Sequence, residues 1–169
     1  AATAKEIATV YSKVRDTLRT LKHQAPNTKY LMVGYPNIIN DSPNAQCDTL
    51  TGKLLSQRER EFVSESITYL NKVVQAAANV EKVPFVDVGT RFNGVNLCGS
   101  TDASAMNGVR FGDDIAPIDA LKDFRAFGAE SFHPTPKGHV LIAQAIHAKF
   151  TTPQAVQCTG CTAEERAPA

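Results

Sequence analysis

The sequence predicts an α/β fold with a parallel pair of strands, and three observations carry that expectation. Two short apolar runs, YLMVGYP at 30–36 and VPFVDVG at 83–89, have the continuous apolar character of strands covered on both faces. Between them lies a long pattern of helical period, so the second strand returns to the first through a helical crossover. Further helical patterns open and close the chain, giving the order helix, strand, helix, strand, long loop, helix. That order favours a parallel sheet with a right-handed crossover.

The elements follow in order. Thr3 and Glu6 have capping-box spacing, and Ile7, Val10, Val14, Leu18 and Leu21 recur at three and four residues, which predicts an amphipathic helix over 4–23. APNTK at 25–29 ends it. Pro36 and Pro43 mark a loop, NIINDSPNAQCDTLTG, after the first strand. Ser56 and Glu59 form a second capping box, and Val63, Ile67, Leu70, Val74 and Ala77 line one face of a helix over about 56–79. Residues 90–129 are rich in Gly, Asp, Asn and Ala with little periodicity. They predict a long functional or lid-like loop with a short helix near 117–126. Thr135 suits an N-cap and Pro136 the first helical position, so the last helix spans about 136–150. The tail after Thr151 is polar.

The 169 residues are enough for one domain with a real core. Lys plus Arg number 18 and Asp plus Glu 17, a balance that gives no footprint for nucleic acid or an anionic membrane. No apolar run approaches a membrane span. The chain opens at Ala1, not methionine, and no basic start followed by an apolar block is present, so a processed chain is expected. Four cysteines, Cys47, Cys98, Cys158 and Cys161, sit in polar surroundings. An even count in such contexts favours disulfides and a secreted or extracytoplasmic location. Cys158 and Cys161 lie in the tail without a second pair or a nearby histidine, so a local disulfide is preferred to zinc. Asp113, Asp114, Asp119 and Asp123 lack the spacing of a calcium loop. No metal and no cofactor are therefore expected. Asn40-Asp41-Ser42 is formally a glycosylation sequon, weakened by Pro43.

Two parallel strands make a poor sheet. Each needs neighbours for its ladder bonds, and three helices cannot satisfy an open edge. The expectation is that a companion polypeptide segment completes the sheet, or that the open edge pairs with a second copy.

The chemistry concentrates in AESFHPTPKGH at 129–139. A histidine acting as general base needs access, an orienter for its other ring nitrogen and a fixed backbone. Pro134 restricts His133 to extended conformations, and the helix beginning at Thr135–Pro136 anchors it from behind. Glu130, three residues earlier, can fold back in a tight turn so that its carboxylate holds the imidazole in one tautomer. His139 on the first helical turn reads as a packing or surface residue, and His23 and His147 lie near helix C-termini, where a cation suits the dipole.

This string resembles the last block of the SGNH (GDSL) hydrolase family of serine esterases and lipases. There an acidic residue stands three positions before the catalytic histidine, and a proline and then a glycine follow; Glu130, His133, Pro134 and Gly138 match. LMVGYPNI resembles the strand and exit loop after the family's third block. PFVDVGTRFNGVNLC resembles the next strand and loop of the secreted, disulfide-bonded branch. The resemblance covers roughly 5–150. It implies a flavodoxin-like three-layer α/β/α sandwich, of which 1–150 would be the C-terminal part and 151–169 a tail, and it implies a Cys47–Cys98 disulfide. It assigns His133 as general base and acid and Glu130 as its orienter. The acid is more usually aspartate, and some members of the branch orient the histidine with a backbone carbonyl instead.

No Gly-Asp-Ser occurs in the sequence, nor a Gly-x-Asn-Asp ahead of the first strand, nor a Gly-x-Ser-x-Gly. The nucleophilic serine and the oxyanion hole are therefore expected on the companion segment, with an ester as substrate and no turnover by this chain alone. The alternative is a non-catalytic binding or structural module that retains half of the hydrolase fold. A third reading, a free-standing hydrolase using Ser42 or Ser131, is disfavoured because Ser131 is too close to His133 in sequence to present its hydroxyl in line.

Overall fold

In a computed structural model of the chain, the residues described are 2–43, 45, 47, 55–99, 104–108 and 130–151. Helix α1 spans Ala2–Gln24, strand β1 Met32–Val33, helix α2 Gln57–Val80, strand β2 Phe85–Val86, and helix α3 Pro136–Thr151; a short 3-10 turn, Gly89–Phe92, follows β2. Among the described residues the order of helices and strands matches the expected one. Helix α1 already includes Ala2, so Thr3 lies inside the first turn and not ahead of it as an N-cap.

The second capping box is present as read. Ser56 Oγ accepts the Glu59 N–H, and the Glu59 carboxylate accepts the Ser56 N–H at 2.8 Å. The apolar stripe of α2 ends in Val74 and Ala77, both buried, and packs on the stripe of α1, where Leu18 is buried.

Strands β1 and β2 are parallel, with Met32 opposite Phe85 and Val33 opposite Val86. Met32 N–H donates to the Pro84 carbonyl and Gly34 N–H to the Val86 carbonyl, each at 2.9 Å. The ladder is shorter than the apolar runs because Tyr35 leaves it. Its N–H donates to Asn71 Oδ1 at 2.7 Å, and its carbonyl accepts from Asn71 Nδ2 at 2.9 Å. One amide side chain on α2 thus stands in for the next rung. Position 34 must be glycine for this, since a Cβ there would lie 2.7 Å from the Phe85 ring and 3.0 Å from Asn71 Oδ1.

Alternation along β1 sorts the core into two faces. Met32 packs with Leu18, Ala78 and Val83 against α1 and α2, whereas Leu31 and Val33 pack with Val86, Val88 and Ala145 under α3. The result is three layers: two helices, a parallel sheet and one helix. Beyond the strands the two exit loops rejoin. Ile39 and Leu97 form a parallel bridge, Asn40 N–H donates to the Leu97 carbonyl at 2.7 Å, and a Cys47–Cys98 disulfide ties the loops together. Ile39, Phe92 and Met106, all nearly inaccessible, form the core beneath this tie. No helix among the described residues is long and apolar enough to cross a membrane. The predicted helix near 117–126, the aspartates at 113–123 and the Cys158–Cys161 pair lie outside the described residues.

Candidate active site

Residues 130–135 form a tight turn leading into α3. His133 N–H donates to the Glu130 carbonyl at 3.2 Å, closing the turn. Phe132 takes φ 61°, a left-handed conformation unusual for so bulky a residue. Such backbone persists only where its surroundings over-determine it. Here the short segment 104–107 does so. Phe132 N–H donates to the Asn107 carbonyl at 3.2 Å, Asn107 N–H donates to the His133 carbonyl at 2.8 Å, and Thr135 N–H donates to the Ala105 carbonyl at 2.9 Å. Met106 and Pro134 complete an antiparallel bridge. The Phe132 side chain packs against the core around Phe92 and Met106.

The helix start works as read from the sequence. Thr135 Oγ1 accepts the Gly138 N–H at 3.3 Å, and Pro136 occupies the first helical position, where no N–H is needed. Gly138 is buried against the 104–107 segment and the Phe92 ring.

The His133 ring is exposed, with Nδ1 at 3.0 Å from the Ser131 carbonyl. A carbonyl only accepts, so Nδ1 carries the proton in that contact. In the neutral ring Nε2 then holds the lone pair, as a general base requires. The two candidate residues meet through the backbone: Glu130 offers its carbonyl to the His133 N–H, and its carboxylate makes no hydrogen bond to the imidazole. The position given to Glu130 in the sequence reading is filled by the Ser131 carbonyl. No side-chain signal marks such an orienter, because every residue has a carbonyl.

The other candidate residues are placed as follows. Ser42 is half-buried and donates its N–H to Asn40 Oδ1 at 3.0 Å. Ser131 is buried and meets His133 through its carbonyl. His23, His139 and His147 are exposed on α1 and α3. Among the described residues no group of three or more His, Cys, Asp or Glu side chains is placed to hold a metal ion.

Comparisons with known proteins add the following. Residues 1–146 match the family described as GDSL-like lipase/acylhydrolase. No curated protein matches the sequence. Among solved structures, phospholipase A1 from Streptomyces albidoflavus NA297 superposes with a TM-score of 0.64 at 19% identity, covering 83% of this chain. An extracellular lipase from Streptomyces rimosus superposes with a TM-score of 0.58 at 19% identity, covering 86% of this chain. The chain spans about half the length of either, 51% and 56% respectively. At this identity the likeness carries the fold, and it agrees with the three layers described above. The match over 1–146 settles the family: the chain belongs to the GDSL-like lipases and acylhydrolases.

Proposed function

We propose that this chain supplies the general base and acid, His133, of a secreted serine ester hydrolase whose nucleophile lies on a polypeptide segment outside these 169 residues. The observation that carries this is the exposed His133 ring held at Nδ1 by the Ser131 carbonyl. In the proposed reaction Nε2 takes the serine hydroxyl proton as the oxygen attacks the ester carbonyl. The imidazolium then gives that proton to the departing alcohol. Water, activated by the same nitrogen, releases the acid from the acyl-enzyme. The companion segment also supplies the oxyanion hole and pairs with the free edge of β1. The absence of Gly-Asp-Ser from the sequence supports a nucleophile on that segment. Secretion is supported by the Cys47–Cys98 disulfide and by the extracellular lipase among the similar structures.

The test is fluorophosphonate labelling of the native preparation, followed by denaturing, reducing separation. Label is expected on a serine outside these 169 residues, and His133→Ala should cut ester turnover by about 10²–10⁴-fold. Glu130→Gln should keep turnover within about fivefold, as for an exposed carboxylate without a ring contact. Label on a serine of this chain, or full turnover by His133→Ala, overturns the proposal.

A further inference from the structure

At the opposite end of α3 from His133 lies a cavity of about 570 Å³. The length of α3 puts the two about 20 Å apart. The segments leading into β1 and β2 border the cavity together with the C-terminal ends of α1 and α3 and the residues just past α2. Four lysines line it: Lys22, Lys29, Lys82 and Lys149. Among the described residues no acidic side chain lines it, and the nearby Glu81 is already taken by Arg15 and Arg19, at 2.9 and 3.0 Å.

Lysines near helix C-termini balance the helix dipoles, which is the ordinary reason to find them there. The magnitudes show that this accounts for only part of the charge. Three C-termini at roughly −0.5 each offset about 1.5 of the four positive charges, leaving about +2.5. Among the described residues only Lys22 of the four is engaged with a helix-end carbonyl, that of Glu81 at 2.8 Å. Lys29 is on no helix, and Lys82 sits just past α2 in a left-handed conformation, φ 55°. The rest of the lining mixes Thr28, Tyr30 and Thr151 with apolar surface from the half-buried Leu31, the exposed Pro84 and the largely exposed Phe150. Charge of one sign over apolar surface fits a ligand with an anionic head and a hydrocarbon chain, and the volume suits a single chain.

We propose that this cavity is a binding site for a single-chain carboxylate amphiphile, separate from the His133 site and independent of the hydrolase reading. The lysines take the carboxylate, and the chain lies along Leu31, Pro84 and Phe150. A small inorganic anion would leave these walls wet, and an uncharged amphiphile would leave the lysines unanswered.

Calorimetric titration of the native protein with decanoate, kept below its micellar range, tests this, with decanol and inorganic phosphate titrated in parallel. Decanoate should saturate one site more tightly than either. The double variant Lys29→Gln/Lys149→Gln removes two exposed charges that make no hydrogen bond or ion pair among the described residues, and should weaken decanoate about tenfold. Phe150→Ser should weaken decanoate while leaving the circular dichroism spectrum unchanged. His133→Ala should bind decanoate normally. The proposal is overturned if decanoate does not saturate, or if decanol or phosphate binds as tightly. Decanoate binding that is indifferent to the lysine pair, or lost in His133→Ala, also overturns it.

Discussion

Replacing Gly138 by alanine sets two effects of known size against each other. Gly138 lies in the first turn of α3, where alanine is normally the better helix former by about 1 kcal/mol. The added Cβ would press on the Ala105 carbonyl oxygen, lie 2.8 Å from Pro134 Cβ and lie 3.2 Å from the ring of Phe92. None of the three yields cheaply. Ala105 O holds the Thr135 N–H at 2.9 Å, Pro134 follows His133 directly, and Phe92 is fully buried. Overpacking against such neighbours costs about 1–3 kcal/mol, and backbone on one side puts this case near the top of that range. The expected net effect is a loss of about 2 kcal/mol, read as a lower urea midpoint at unchanged slope. The displaced 104–107 segment also releases the His133 carbonyl from Asn107, so proposed turnover should fall along with stability. A midpoint equal to or above that of the parent protein would refute the reasoning, because it would mean that propensity wins and the close packing at Gly138 is not obligatory.

Other outcomes follow from the same structure. Cys47→Ser with Cys98→Ser opens a loop of sequence separation 51, which by chain entropy should cost about 4 kcal/mol; the matching loss should follow from adding reductant to the parent protein. Asn71→Ala removes both hydrogen bonds to Tyr35 and should cost about 2 kcal/mol, with faster amide exchange at Tyr35. The hydrogen bond from Arg15, supported by the charge of Arg19, holds the Glu81 carboxyl below its usual value of 4.5. A lowered folded value means that this contribution is complete above the usual carboxylate range and is lost as pH falls through the folded value. Urea midpoints measured down that acid limb should therefore decline less steeply in Arg15→Gln than in the parent protein.

What the sequence showed of the fold was its periodicity. Val63 to Ala77 and the Ser56–Glu59 pair marked α2 almost to the residue, because period and cap are local properties. The two apolar runs marked strands but overstated their length. The ladder ends where Asn71 captures Tyr35, and that partner is 36 residues away. Thr3 and Glu6 had the right spacing for a cap, yet the helix runs through them. At the candidate site, His133, Thr135, Pro136 and Gly138 were legible because each is a residue type with a restricted use. The ring's partner was not marked by any side chain, and a backbone carbonyl entered only as an alternative that the family resemblance raised. Glu130 had the right chemistry at a plausible spacing, but the turn is set by the left-handed Phe132, a conformation that nothing about a phenylalanine announces.

The hold on His133 therefore belongs to a shape of the main chain and not to any side chain. Deleting a functional group at 130 or 131 cannot remove it, since the oxygen involved is part of the peptide bond itself. It carries no net charge and neither gains nor loses a proton over the range in which proteins stay folded. What can remove it is a change that forbids the positive φ at 132, so the vulnerable position is one that is neither donor nor acceptor in the imidazole's hydrogen bond. A β-branched residue at 132 would loosen the hold on the His133 ring while leaving every polar group of the turn in place, and a proline would in addition remove the N–H that donates to the Asn107 carbonyl.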